Sequence, residues 1–446
     1  MAVEIKDRAT FRLCDYELRV QDYQQILVWA RRLKKDPEHI VEKLEDAEYQ
    51  AYEGDNLKLE IKGSAIVTLV WDFNELPIDN FEWVEDLSIG TIAFKNDKTN
   101  GQLAVSSPAL RRLYCSENKL KTIDIAKAPE LRLIDCGDNS LPSLALESID
   151  KLETLRCNGN KLKKLGIAHL KDLKELNYSD NSQIQPPDLS KLPNLNHLAC
   201  SGLMLEEIRL SGLSNLSYLD CHDNKLSSID LSETPNLSWL DCKNNLIDSL
   251  DLKRTPKLTG LDCRNNRLEK LTIGHTPSLT WMDCSLNKLN TLDMSELSEL
   301  TWVQCRANSI DSLSIPRNSK LRDLLCAENS LSSLGLENAV MLNELVCGNN
   351  NLTKLDLSTN LALVYLDCQD NKITHIVLTE APELSFINCK KNRIENLNLW
   401  EAPKLKNLDV TINPIDAIDI RGVEKLTRLL VDPCVQLKHR HDQKVS

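Results

Sequence analysis

The chain has 446 residues, more than one compact globular core needs, so it forms either several domains or a repeat array whose core grows by stacking. Its formal net charge of -12 repels phosphate backbones and anionic lipids, which argues against nucleic acid and membranes as partners. The N-terminal residues are charged and no apolar run is long enough to cross a bilayer, so we expect a cytoplasmic protein, or one exported without a cleaved signal peptide.

Residues 1–107 are expected to form an N-terminal cap. The spacing of their apolar residues predicts two helices, two strands and one degenerate rung, at residues 21–34, 37 to about 52, 57–61, 65–71 and around Ile89, Ile92 and Phe94. The open end of a solenoid exposes apolar core and an unpaired strand edge. We therefore expect this segment to shield the first repeat.

Thirteen of the fifteen cysteines fall on one lattice. They are Cys115, Cys136, Cys157, Cys200, Cys221, Cys242, Cys263, Cys284, Cys305, Cys326, Cys347, Cys368 and Cys389. The step is 21 residues, except between Cys157 and Cys200, where Tyr178 takes the cysteine's place and one residue is inserted. Around each lattice point the frame L-x-x-L-x-C-x-x-N-x-L-x-x-L-x-L returns. This gives about 16 rungs over residues 108–437, followed by a tail at 438–446.

A period of roughly 20 to 29 residues with this pattern is typical of leucine-rich repeats. Each rung supplies one short strand, and the strands stack in parallel about 4.8 Å apart to form a curved sheet on the concave face. A 21-residue rung leaves no room for a helix on the convex side, so we expect short irregular or 3-10 segments there. The predicted fold is a leucine-rich repeat solenoid, α+β by class, with an α-containing N-terminal cap.

In most rungs an asparagine follows the lattice residue by three places. Its amide is expected to bond backbone groups of neighbouring turns that would otherwise lack a partner. Two rungs depart from this pattern and carry Leu203 and Cys434 in the asparagine's place. The first departure coincides with the inserted residue and with Pro186 and Pro187, so we expect a local irregularity near residues 182–205.

The repeats resemble those of a known bacterial family. Segments such as NLSWLDCKNNLIDSLDLKRTPKL and ALVYLDCQDNKITHIVLTEAPEL look like the 21-residue repeats of the cysteine-ladder internalins, and the resemblance covers roughly residues 108–432. In that family the repeats form a curved rod that binds host surface proteins or glycans. The resemblance implies the fold. We do not expect the surface location to carry over, because the sequence shows no signal peptide and no sorting tail.

The cysteine lattice indicates packing rather than chemistry. Metal ligands must converge on one point, whereas these thiols lie in a line and face a leucine core. Cys14 and Cys434 lie off the lattice, with no histidine or carboxylate partner evident in the sequence. No phosphate-binding loop, zinc spacing or nucleophile set is recognisable, so we expect no enzymatic activity, no metal and no cofactor.

Side chains alternate between the two faces of a strand, so places three, five and seven of the frame should point to solvent. Across the rungs from residue 218 to residue 306, these places predict three parallel stripes, one aromatic, one acidic and one basic. The predicted aromatic stripe is Tyr218, Trp239, Trp281 and Trp302, continued later by Tyr365 and Phe386. The acidic stripe is Asp220, Asp241, Asp262 and Asp283, and the basic stripe is His222, Lys243, Arg264 and Arg306.

Exposed tryptophan and tyrosine beside arginine is the composition of interface hot spots. We therefore expect these stripes to bind a protein partner on the concave face, with Gly260 leaving a gap between two tryptophans that a partner side chain could fill. It is also conceivable that the rings only stack on one another and stiffen the sheet. The sequence is further compatible with a carbohydrate ligand, with a host-directed effector or adhesin, and with the immunity partner of a toxin. We expect the chain to be a monomer.

Overall fold

The structure is a computed structural model that describes residues 10–34, 36–45, 59–62, 65–71, 86–89, 101–105, 108–317 and 319–439. The chain divides into two compact units, which are Met1–Met204 with Arg209–Leu216, and Leu205–Ile208 with Ser217–Ser446. Within each unit, three-residue strands at the predicted lattice positions pair in parallel, so the predicted leucine-rich repeat solenoid is confirmed. Neither helix among the described residues is long and apolar enough to cross a membrane.

The first unit opens with a hairpin and two helices. Strand β1 and strand β2 pair in antiparallel fashion, and α1 follows β2 directly; the elements are β1 Thr10–Leu13, β2 Tyr16–Arg19, α1 Val20–Leu33 and α2 Pro37–Glu45. The helices bury Ile26 and Ala30 from α1, and Ile40 and Val41 from α2. The hairpin was not predicted from the sequence. The predicted end of the second helix near residue 52 lies outside the described residues.

The sheet begins within the predicted cap. Strand β3 (Leu59–Lys62) pairs antiparallel with β4 (Ala65–Trp71), and β4 pairs in parallel with β5 (Asp86–Ile89). Strand β5 then pairs with the first lattice strand so that Leu87 lies opposite Leu113. The degenerate rung therefore takes its register from Leu87 and not from Ile89, because parallel pairing places the residues of neighbouring strands directly beside one another. The other two residues predicted for that rung lie outside the described part of the chain.

The remaining strands of the first unit belong to the repeats. Its long sheet continues through Arg112–Tyr114, Leu133–Asp135, Thr154–Arg156, Glu175–Asn177 and His197–Ala199. On the opposite side, Gln102–Ala104 pairs with Thr122–Asp124. The rung with the inserted residue carries a short 3-10 helix, Leu189–Lys191, within the region predicted to be irregular.

The second unit contains the longer run of repeats. Its long sheet consists of Tyr218–Asp220, Trp239–Asp241, Gly260–Asp262, Trp281–Asp283, Trp302–Gln304, Asp323–Leu325, Glu344–Val346, Tyr365–Asp367, Phe386–Asn388, Asn407–Asp409 and Arg428–Leu430. On the opposite side the strand pairs are Ser249–Asp251 with Lys270–Thr272, Thr291–Asp293 with Ser312–Ser314, Lys354–Asp356 with His375–Val377, and Ala417–Asp419 with Gln436–Lys438.

The core consists of the frame's leucines and the lattice cysteines. All thirteen lattice cysteines are free thiols with fully buried side chains. Burial raises the pKa of lattice thiols such as Cys326, where it reaches about 12. A thiol that resists ionisation is a poor nucleophile and a poor metal ligand. The lattice cysteines therefore act as small apolar residues that fill the space between leucines.

The asparagine of each rung bonds the backbone of two rungs. Asn266 is representative: its amide nitrogen donates to the carbonyl of Cys263 at 3.1 Å and to that of Cys242, one rung earlier, at 3.0 Å. Its side-chain oxygen accepts the backbone N–H of Ile247 at 3.0 Å. The same bonds recur from rung to rung, as at Asn350. The predicted role of these asparagines is therefore confirmed.

Candidate functional site

In the second unit, the third-place side chains form a row on the outward side of the long sheet. We call this outward side of the sheet the strand face. Trp239 stacks on Trp281 with ring centroids 5.5 Å apart and an interplanar angle of 18°. Trp281 stacks on Trp302 at 5.0 Å and 4°. All three indoles are half-buried. They therefore form one continuous stack, which we call the tryptophan stack, and Tyr218 occupies the third place of the preceding strand.

Gly260 does not leave the gap that the sequence suggested. Its strand lies between those of Trp239 and Trp281, yet the glycine itself is buried. A Cβ atom added to Gly260 would lie 2.2 Å from the Cζ3 atom of Trp239. The ring of Trp239 therefore leans across the glycine to reach Trp281, and the predicted gap is filled from within the chain.

The acidic stripe is covered rather than exposed. Asp241, Asp262 and Asp283 are only 8%, 4% and 1% exposed, although the sequence predicted that they face solvent. The alternation of the strand was predicted correctly. These short carboxylates lie beside longer side chains of their own or a neighbouring rung, such as Lys243 and Arg264, which shield them from water. Asp220, at the start of the row, is half-buried.

Basic side chains of the seventh place cover these carboxylates. Lys243 forms an ion pair with Asp241 and lies 3.9 Å from Asp262. Arg264 lies 3.5 Å from Asp262 and 3.6 Å from Asp283, measured between guanidinium nitrogen and carboxylate oxygen. Each cation thus bridges two rungs, which offsets the repulsion between stacked carboxylates.

Burial still dominates at the centre of this row. Desolvation, followed by the nearby charge of Asp241, raises the pKa of Asp262 to about 6, because the bonds to Arg264 only partly compensate. Arg306 does not extend the row of bridges. It is exposed at the seventh place, as predicted, and pairs at 2.6 Å with Glu328, a residue of the next turn, rather than with a carboxylate of the acidic stripe.

The start of the row holds a cluster that was not predicted from the sequence. Asp220, His222 and Asp241 offer one ligand atom each within 4.8 Å of one another. His222 bonds Asp220 through Nδ1, and Lys243 is already paired with Asp241. Histidine and carboxylate groups can bind a divalent metal ion. However, one of these three groups, the carboxylate of Asp241, is already paired with the ammonium group of Lys243, so we assign the cluster to the row of ion pairs.

A second aromatic pair lies further along the third-place row. Tyr365 stacks on Phe386 with centroids 4.3 Å apart and an angle of 4°. Between this pair and the tryptophan stack lie Asp323 and Glu344, both half-buried. Neither acid was predicted to have a role. The sequence did offer a signal for them, because two consecutive third-place residues are acidic and the third-place residues on either side are aromatic.

Comparison with known proteins supports the fold. The functional domain of InlJ from Listeria monocytogenes, which includes a cysteine ladder, is 29% identical over 69% of this chain, with a TM-score of 0.56; the match covers 65% of that structure. YopM from Yersinia enterocolitica matches at 23% identity over 94% of this chain and 99% of its own, with a TM-score of 0.55.

A receptor of different origin has the same architecture. The Arabidopsis receptor kinase HAESA, solved in complex with the peptide hormone IDA and the co-receptor SERK1, is 18% identical over 93% of this chain and 86% of its own, with a TM-score of 0.59. No protein-family model matches the chain, and no curated protein matches it either. The lattice, the buried thiols and the InlJ match agree with one another. The chain is a leucine-rich repeat protein whose 21-residue cysteine-ladder repeats resemble the repeat region of the internalins.

Proposed function

We propose that this chain is a non-enzymatic protein-interaction module that binds a protein partner on the strand face, the face that the sequence predicts to be concave. The observation that carries the proposal is the tryptophan stack. Three large, half-buried indoles are held nearly parallel on a regular sheet. Exposed apolar area of this kind, beside basic side chains, is characteristic of binding surfaces.

The setting of the stack favours tight recognition. Each indole is fixed by its neighbour, so little side-chain freedom remains to be lost when a partner binds. The bridged carboxylates beneath hold Lys243 and Arg264 in place next to the rings. A rigid aromatic anchor with ordered charges at its edge is the arrangement from which binding hot spots are built.

The comparisons support a polypeptide as the class of partner. HAESA was solved with a peptide hormone and a co-receptor, both of which are polypeptides. We extend that type of partner to this chain as a proposal, because the solenoid is shared and the strand face carries an anchor suited to polypeptides. The location stays a prediction, either cytoplasmic or exported without a cleaved signal peptide. The roles as an effector, an adhesin or the immunity partner of a toxin also stay predictions.

A carbohydrate ligand is the weaker candidate. Sugars bind aromatic residues by lying against a ring face, but the stack covers both faces of Trp281 with the rings of Trp239 and Trp302. Only the edges and the two end faces of the stack are open. We therefore expect a glycan array probed with the protein to give no specific signal.

The double variant Trp239→Ala and Trp281→Ala tests the proposed function. We expect the amount of partner recovered by affinity purification from the native organism, quantified by mass spectrometry, to fall at least about tenfold, as for loss of hot-spot residues. The control is Trp400→Ala, which removes an indole that is 54% exposed but lies in a turn away from the strand face. Unchanged partner recovery by a double variant that still unfolds cooperatively would contradict the proposal.

A further inference from the structure

The strongest unexplained feature of the strand face is a pair of carboxylates in the third-place row. Strand pairing places Trp302 beside Asp323, Asp323 beside Glu344, and Glu344 beside Tyr365. At about 4.8 Å per strand, the row from Trp302 to Tyr365 spans about 14 Å. Two acids thus lie next to each other, with an aromatic residue on either side.

These acids differ from the other carboxylates of the long sheet. Asp241, Asp262 and Asp283 are each bridged by a cation. In contrast, no ion pair or side-chain hydrogen bond involves Asp323 or Glu344 within the described ranges. Further along the described part of the sheet, Asp367 and Asp409 have no ion pair either, but they accept the backbone N–H of Gln369 and of Thr411. Among the residues that the structure describes, Asp323 and Glu344 thus differ in having neither kind of partner.

The neighbouring side chains explain why no cation bridges the pair. The fifth and seventh places of these two rungs hold Leu325 and Ala327 in one and Val346 and Gly348 in the other, none of which carries a charge. The positions that supply Lys243 and Arg264 in the earlier rungs are therefore apolar here.

The two carboxyls also repel each other when both are charged, because they lie side by side. Asp323 and Glu344 occupy directly paired positions of parallel strands, where like charges are destabilising. Burial raises the pKa of both carboxyls, and the charge of Asp323 raises that of Glu344 further. The charge of Arg322 lowers the pKa of Asp323 by less than burial raises it, so the pair stays undercompensated.

Each flanking ring is stacked on one face only, and the strand of an acid lies on its other side. One face of Trp302 is covered by Trp281, nearly parallel at 4°, which leaves its other face on the Asp323 side. One face of Tyr365 is covered by Phe386, also at 4°, which leaves its other face on the Glu344 side. Cations bind favourably over such faces, and carboxylates add charge attraction in the same place.

We infer that the strand face takes a basic polypeptide segment, and that arginine or lysine side chains of this segment sit over Asp323 and Glu344 between Trp302 and Tyr365. This inference rests on the proposed function of the strand face and names the chemistry of the partner. A partner cation would supply the compensation that the chain lacks at this pair. The net charge of -12 would favour the approach of the same kind of segment.

The test uses two fluorescein-labelled peptides, Gly-Ser-Arg-Gly-Arg-Ser and its counterpart with glutamine in place of both arginines. Fluorescence anisotropy with the full chain in about 50 mM NaCl, where screening is modest, gives the dissociation constants. We expect the arginine peptide to bind at least about tenfold more tightly than the glutamine peptide. We expect Asp323→Asn with Glu344→Gln to abolish this preference, and the single variant Glu344→Gln to reduce it.

The matched control is Glu175→Gln. Glu175 also occupies a third place, but it is already paired with Arg156 at 2.6 Å, so its variant should keep the preference for arginine. Thermal unfolding checks the fold: removing two repelling carboxylates should raise the melting midpoint of the double variant, so lost binding would not reflect misfolding.

Three outcomes would overturn the inference: wild-type protein that binds both peptides equally or neither, a double carboxylate variant that keeps the preference, or a pair that binds Ca²⁺ in calorimetry while ignoring the peptides. The proposed function is tested separately. If the carboxylate variant behaves like wild type while Trp239→Ala with Trp281→Ala loses the natural partner, the interaction role stands and the basic segment is wrong.

Discussion

At the scale of single residues, the buried carboxylates of the strand face show how burial competes with charge compensation. Asp262 is 4% exposed and lies near two cations, Lys243 and Arg264. Its pKa is nevertheless raised to about 6, with burial as the largest cause. The charges of Asp241 and Asp283, on the strands to either side, also raise the pKa of Asp262, and the bridging cations only partly offset this effect. The bridging cations therefore offset part of the cost of burying these carboxylates, and the remainder lowers stability at neutral pH.

This cost predicts a pH dependence. The folded pKa of Asp262 lies above the ordinary value of 3.8, so the folded state holds this proton more tightly than the unfolded state. The contribution of Asp262 to the free energy of unfolding should therefore fall as pH rises from about 4 to about 6, and should then level off. Asp262→Asn should remove this contribution. The free energy of unfolding of the variant, relative to that of wild type, should therefore rise by on the order of 1 to 3 kcal/mol over that interval.

Denaturant unfolding at a series of pH values measures the difference between wild type and Asp262→Asn. The control is Asp293→Asn, because the backbone N–H of Ser295 lowers the pKa of Asp293. That variant should lose stability relative to wild type as pH rises, which is the opposite sign. A flat difference for Asp262→Asn between pH 4 and pH 6 would show that the folded state does not perturb this carboxyl.

At the scale of the rung, the asparagine ladder fixes the backbone where the chain leaves each strand. The residue just before the asparagine takes a left-handed conformation: φ is 55° at Leu286, 58° at Ile412 and 60° at Gly159. Leucine and isoleucine rarely adopt this region, and an isoleucine there is strained. The asparagine bonds and the stacked backbone bonds of the turn, such as that from Leu286 N–H to the Arg306 carbonyl, hold these residues in place.

Two adjacent asparagines allow a matched test of the ladder. Asn350 donates to the carbonyls of Cys326 and Cys347 and accepts the N–H of Leu331, all within the core. Asn350→Ala removes these bonds and leaves buried backbone groups unsatisfied, so we expect the free energy of unfolding to fall by about 2 to 4 kcal/mol.

The neighbouring Asn351 is the control for this prediction. Its side chain accepts one exposed bond from the Lys372 ammonium group, so Asn351→Ala should change stability by less than about 0.5 kcal/mol. Urea denaturation of both variants gives the comparison. Equal losses would mean that the ladder is dispensable and that the leucine core alone holds the rungs together.

At the scale of the whole molecule, we expect the net charge to affect binding mainly through the association rate constant. A chain of net charge -12 attracts a basic partner over distances that salt can screen. We expect the association rate constant for the natural partner to fall by at least about tenfold between about 20 and 500 mM NaCl, with little change in the dissociation rate. Biolayer interferometry measures both. An association rate that is indifferent to salt would argue against a basic partner.

The 21-residue lattice made the repeat architecture predictable from the sequence. Each rung has to bury the same five aliphatic residues and one cysteine against the next rung, and within its strand the inward and outward places follow from strand alternation. The placement of Leu240 and Cys242 inside, of Trp239 outside, and the bonding of the asparagines were all predicted correctly.

The tertiary structure decided how the outward side chains contact one another, because these contacts join residues about 21 positions apart that the repeat pattern does not specify. The lean of Trp239 over Gly260, the cover that hides Asp283, and the turn of Arg306 toward Glu328 depend on which side chains happen to be neighbours. The hairpin ahead of α1 was missed because its short strands lack the period of the repeats. A repeating sequence thus determines the backbone lattice and its two faces, while side-chain length and charge in adjacent rungs determine which outward groups a partner can reach.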